Sequence, residues 1–158
     1  MYMEKSMTPE AALVKMEILC SRSEHCTSDI IERLKNYDFN EKQINDIVQH
    51  LCDNHYIDDN RYCHCYANDK LRYNSWGRMK ISQSLHLKGL DHEAIRNALM
   101  DIDEKEYLHI LHKILKQKEK SISYQSDYER KGKLIRYASG KGFEINLITK
   151  ALDAEDFF

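Results

Sequence analysis

Six side chains able to hold a metal or act as nucleophiles fall within sixteen positions: His50, Cys52, His55, Cys63, His64 and Cys65. Imidazole and thiolate are the usual zinc ligands, so a tetrahedral site is the first chemistry to test. The spacing argues against it. Cys63 and Cys65 are two apart on an expected helix, which turns them about 200° from one another around the axis. The sequence has no Cys-x2-Cys pair. No metal and no cofactor are therefore expected, and Cys52 and Cys63 read as small buried apolar residues. A Cys–His nucleophile needs a third group to orient the base, and none is evident. Neither a P-loop nor GxGxxG, GxSxG or HExxH occurs. Asp58-Asp59 has the chemistry of a metal pair, but its place just before a helix favours capping. The chain does not read as an enzyme.

A second group of residues suits binding. Arg72, Arg78, Lys80 and Lys88 are interleaved with Tyr66, Tyr73 and Trp76. Arg78 and Lys80 have counterparts in Lys131 and Lys133, whereas the corresponding residues earlier in the chain are Thr27 and Asp29. Two cations at a helix start oppose the macrodipole, so they need another reason, such as an acidic partner surface or phosphate. Residues 105–141, which include Arg136, hold ten Lys/Arg against four Asp/Glu. A solvated, lysine-rich helix face is the competing reading of that segment.

The elements that position these residues read as helices throughout. Thr8-Pro9-Glu10 supplies a cap and then Pro at the first helical position. Asn40 to Gln43 and Asp103 to Glu106 fit capping boxes. Thr27, Asp58 or Asp59, Ser75 and Asp91 are further cap candidates. The expected helices are 8–22, 27–37, 41–55, 59–73, 76–88, 92–101, 104–119, 126–139 and 144–153.

Three stretches repeat. Six columns are apolar in every copy: Ile30/Ile81/Leu134, Leu34/Leu85/Ala138, Phe39/Leu90/Phe143, Ile44/Ile95/Ile148, Ile47/Ala98/Ala151 and Val48/Leu99/Leu152. Lys88-Gly89-Leu90-Asp91 is echoed by Lys141-Gly142-Phe143-Glu144, with glycine ending one helix and the acidic residue starting the next. In the first copy Asp38 takes the glycine's place. The expected fold is all-α, with three tandem three-helix repeats (8–56, 57–103 and 104–158) stacked into an elongated, curved rod.

Composition agrees with a helical protein. Of 158 residues, 42% are hydrophobic and 32% charged, with five Gly and one Pro, too few for the turns of a large sheet. Mean hydropathy is −0.70. No apolar run is long enough to span a membrane, and Met1 to Met7 has no apolar core of a secretory leader. Five cysteines, an odd number, suit free thiols in a reducing cytosol, so a cytoplasmic location is expected; a monomer is the expected oligomeric state.

From Tyr56 to Leu90 the chain reads YIDDNRYCHCYANDKLRYNSWGRMKISQSLHLKGL. This resembles the RecX family of bacterial recombination regulators. The residues carrying the resemblance are Ile57, Asp58, Asp59, Arg61, Tyr62, Gly77, Arg78, Ile81, Leu85, Lys88, Gly89 and Leu90. The resemblance covers nearly the whole chain and implies three tandem three-helix repeats. It implies a non-enzymatic modulator that lies in the groove of the RecA–single-stranded DNA filament and restrains its ATPase, strand exchange and growth. Homologous recombination, DNA repair and the SOS response would be the setting, with at most weak direct contact to single- or double-stranded DNA. The contact residues expected are Arg72, Trp76, Arg78, Lys80, Lys88, Lys131, Lys133 and Arg136. A direct nucleic-acid binder with helix-turn-helix-like units and a general helical scaffold are the alternatives.

Overall fold

A computed structural model describes residues 6–154. Part of the segment read for a leader, and the last four residues of the third expected repeat, lie outside them. The described residues form nine α-helices and no strand: α1 (Pro9–Arg22), α2 (Thr27–Leu34), α3 (Glu41–Asp53), α4 (Asp59–Asn74), α5 (Arg78–Leu87), α6 (His92–Met100), α7 (Glu104–Glu119), α8 (Asp127–Gly140) and α9 (Ile145–Asp153). They pack in successive triples, α1–α3, α4–α6 and α7–α9. The repeat columns supply the reason. All their members are buried except Phe39, Val48 and Leu99, which are half-buried.

The local chemistry of the caps differs from the sequence reading at several points. Thr8 and Asn40 cap as expected, and Asn40 and Gln43 exchange hydrogen bonds of 2.8 and 2.9 Å. Asp103 accepts only from the Lys105 amide, and Glu106, drawn to Arg72, does not reach back to close a box. Cys26, not Thr27, is the N-cap of α2. Ser75 does not start a helix; it ends α4 in the left-handed conformation, and Gly77 is the N-cap of α5. Asp91 occupies its cap position without a side-chain hydrogen bond. Gly89 and Gly142 have the positive φ expected of helix-ending glycines. Asp38 does not, because α2 stops at Leu34, two residues earlier in the repeat register than α5. Its turn is closed instead by Asn36 and Tyr37 amides donating to the Arg33 and Leu34 carbonyls.

One junction geometry is used twice. At the start of α2, the Thr27 amide and hydroxyl both donate to Asp59 Oδ1 at 2.8 and 3.1 Å. Ser28 Oγ donates to the Lys88 carbonyl at 2.7 Å. At the start of α5, one triple later, Arg78 binds Glu104 at 2.6 Å. The Gly77 and Met79 amides donate to the Lys141 and Gly142 carbonyls at 2.8 and 3.0 Å. Asp59 and Glu104 are each the first residue of the next triple's first helix. Free N–H groups at a helix start need acceptors, and here the following triple provides them.

The core has two parts. The first triple builds a small cluster from Ala12, Met16, Ile30, Leu34, Ile44, Ile47, Leu51 and Ile57. The second and third share one continuous core that includes Leu71, Leu85, Tyr107, Leu111, Leu134 and Phe143. Cys26, at the start of α2, is buried in that larger core.

Candidate partner-binding surface

The His and Cys cluster is dispersed by the fold. Cys63 lies in the core, where burial pushes its thiol up to about 11, while Cys52 is half-buried and Cys65 exposed. His50 faces Glu17 at 3.2 Å, and His64 bridges the Asn60 carbonyl and Asp101. Among the described residues no three of His, Cys, Asp or Glu converge as metal ligands would. Asp58 caps α4 through the Arg61 amide, and Asp59 serves the junction.

The basic and aromatic residues do not form one surface either. Arg78, the first residue of α5, turns inward. Its guanidinium lies 3.9 Å from the Tyr107 ring centre, binds Glu104, and reaches Glu144 and the Leu99 carbonyl at 3.4 Å. Burial opposes its charge, but these carboxylates outweigh that and raise its pKa. Arg72 makes a two-point contact with Glu106 at 2.6 and 3.1 Å. Lys88 lies 3.5 Å from Asp29. Lys131 and Lys133 are not at a helix start, because α8 begins one turn earlier, at Asp127. They pair with Asp127 and Asp153, and with Glu129 and the Ser123 carbonyl. Arg136 is exposed on α8, beside a cleft with Tyr128, Gly132 and Ile135.

Trp76 and Lys80 do come together, joined by two lysines the sequence did not single out. Lys70 and Lys80 place their ammonium groups 4.9 and 4.7 Å from the Trp76 ring centre. Lys70 also lies 5.4 Å from the Tyr66 ring. Lys141 joins from the α8–α9 corner, its Nζ donating to the Asn74 carbonyl at 2.8 Å. Partial burial, and then the charge of Lys80, hold Lys141 below the usual lysine range. The correspondence of Lys141 with Lys88 was the signal available for it. Lys70, six residues before Trp76, had none. Sequence also missed Arg130, which is buried against Asp127 and Glu119.

Two family models match, RecX second three-helix domain over residues 58–99 and RecX third three-helix domain over 104–152. Regulatory protein RecX of Acinetobacter baylyi is 33% identical over 85% of this chain and 81% of its own length. The chain belongs to the RecX family. Regulatory protein RecX of Clostridium beijerinckii is 28% identical over 82% of this chain and 63% of its own length. The chain spans about half the length of several other RecX relatives, including that of Leuconostoc mesenteroides. The crystal structure of RecX from Lactobacillus salivarius has the same fold, with a TM-score of 0.86 at 19% identity over 95% of this chain and 97% of that one. A second RecX crystal structure gives 0.82 at 23% identity, over 92% and 73%.

Five of the twelve RecX motif residues make junction contacts here: Asp59, Arg61, Gly77, Arg78 and Lys88. Arg61 binds Glu24 at 2.8 Å and the His55 and Tyr56 carbonyls, fastening the first triple to the second. Gly77 allows α5 to touch the α8–α9 corner: a Cβ there would lie 2.3 Å from the Gly142 carbonyl carbon.

Proposed function

We propose that this protein binds a RecA–single-stranded DNA filament and lowers its ATPase and strand exchange, with no catalytic activity of its own. Membership of a family whose relatives are named regulatory proteins carries the reading. The repeated junction supports it physically. Triples joined through the start of each middle helix present side chains at successive steps, and linked weak contacts gain through effective concentration. The protein acts as a cytoplasmic monomer; among the described residues no helix is long and apolar enough to cross a membrane.

We assign the contact to Trp76, Lys80 and Arg136. Arg72, Arg78, Lys88, Lys131 and Lys133 already face carboxylates of their own chain, so their charge is largely spent internally. The test is RecA ATPase on single-stranded DNA, titrated with wild type and with the Lys80→Glu/Arg136→Glu double variant. Wild type should lower the rate and co-sediment with filaments, and the double variant should need more protein for the same effect. A wild type that neither co-sediments nor changes the rate would sink the filament reading.

A further inference from the structure

We propose that His86 and His92 form a two-imidazole seat for a divalent transition-metal ion at the α5–α6 corner, with water completing its coordination. The proposal does not rest on the filament reading, and the seat lies apart from the six residues between His50 and Cys65.

The two rings meet across a short turn. His86 is in the last turn of α5, and His92 is the first residue of α6. The Gly89 amide donates to the His86 carbonyl at 3.0 Å and the Leu90 amide to the Leu85 carbonyl at 3.3 Å. Leu90 is buried, so the turn is anchored with a histidine at each end. His86 Nε2 lies 3.2 Å from His92 Nδ1. Two imidazole nitrogens on one tetrahedral zinc ion, each about 2.0–2.1 Å from the metal, stand roughly 3.3 Å apart. His86 Nδ1 is 2.8 Å from the Ser82 carbonyl. A carbonyl can only accept, so Nδ1 carries the hydrogen and Nε2 presents a lone pair. Such a carbonyl is a common support of a metal-binding histidine, because it fixes the tautomer and the ring.

Without metal, His92 Nδ1–H donates to that lone pair. The ring centres are 5.5 Å apart, so the shared hydrogen lies on the line between the rings. An ion takes its place when the exposed rings pivot off that line, and the His92 hydrogen moves to its own Nε2.

The fold itself does not ask for this pair. The corresponding residues are Lys35 and Glu41 in the first repeat and Ser139 and Ile145 in the third. Both histidines are exposed, so neither serves the core. They open onto a cleft of about 440 Å³ floored by Ile95, Leu99 and Met100, with room for coordinating water. Arg78, Arg96 and Glu104 also line it. Arg78 is neutralised by Glu104 and Glu144, and the charge of Arg96 is offset by Asp91 and Glu93, which flank His92 in the sequence. Imidazole selects Cu²⁺, Ni²⁺ and Zn²⁺ over the oxygen-seeking Mg²⁺ and Ca²⁺, and Cu²⁺ binds tightest. With two protein donors the ion is exchangeable, which agrees with the lack of three converging ligands among the described residues.

The test uses the full-length protein without an affinity tag and without recombinase. Cu²⁺ followed by calorimetry at neutral pH should fill a site that Mg²⁺ does not. His86→Gln and His92→Gln should each weaken it by at least the roughly tenfold that losing even a supporting partner costs. His109→Gln, which breaks the pair His109 and His112 on α7, should not. Circular dichroism should give all three variants the helical content of wild type. Zn²⁺ is diamagnetic and allows NMR of the wild type. Its addition should change His92 from the Nδ1–H to the Nε2–H tautomer, while His86 keeps Nδ1–H. Absence of binding, binding unchanged in both single variants, or an equal loss in His109→Gln overturns the proposal. So does Zn²⁺ binding that leaves the His92 tautomer as it was.

Discussion

Gly142 and Gly89 occupy the same place in successive repeats, both with positive φ, yet their surroundings differ. A Cβ on Gly89 would meet nothing within 4 Å, whereas one on Gly142 would press on Lys80. Gly89→Ala should therefore cost only the left-handed backbone penalty, about 1–2 kcal/mol. Gly142→Ala should add overpacking of about 1–3 kcal/mol. Urea unfolding of the two variants checks the difference, and equal losses would show that the junction yields. His64 gives a prediction in pH. Its pKa is raised by the Asn60 carbonyl and then by Asp101. A raised folded pKa stabilises fully below the unfolded value of about 6.5 and ceases to do so as pH rises through the folded value. Both side chains are over a third exposed, so the effect on stability is under about 1 kcal/mol. The titration is the better readout: NMR should place the His64 midpoint above the ordinary histidine value, and Asp101→Asn should lower it.

The helices were legible wherever a pattern repeats or a cap is local. Apolar spacing recovered nine elements, because in a mostly helical chain each buried stripe returns every three or four residues. Caps that depend on distant partners were not legible. Asn40 has a complete box, while Asp103 keeps one contact and Glu106 is taken by Arg72 on α4. Asn40→Ala should accordingly cost about 1–2 kcal/mol and Asp103→Ala about half of that. Thermal unfolding of the two variants measures the gap, and an equal loss would mean that Glu106 can serve both partners. The start of α5 shows the same limit. Arg78 and Lys80 stand next to one another in the sequence pattern, and both read as outward cations. Only the packing of α7 and α9 reveals that Arg78 is held by Glu104, Glu144 and the Tyr107 ring, while Lys80 is left with Trp76. The difference lies in residues 26 to 66 positions away in the chain.

At the scale of the molecule, the starts of the middle helices tie each triple to the next, and the third triple differs from the first two. α2 and α5 send their first amides or side chains into the following triple, but α8 carries an extra first turn, and Glu129 N donates to its own cap, Ser126. The same accounting separates the two existing junctions. The second is sealed by a shared apolar core as well as by Arg78, whereas at the first Cys26 alone of the first triple's buried residues enters the larger core, and the remaining contacts are polar: Thr27 and Asp59, Ser28 and the Lys88 carbonyl, Asp29 and Lys88, Glu24 and Arg61. Nearest-neighbour coupling in a repeat protein depends on such interfaces. The first triple should therefore open before the rest, and native-state hydrogen exchange should show α1–α3 amides exchanging at a lower free energy than those of α4–α9. Asp59→Ala removes the acceptor for two groups of Thr27 and should lower stability by about 1–2 kcal/mol, concentrated in the first triple. Exchange in α7–α9 should stay as in wild type. A uniform rise in exchange across all nine helices would show instead that the three units unfold as one.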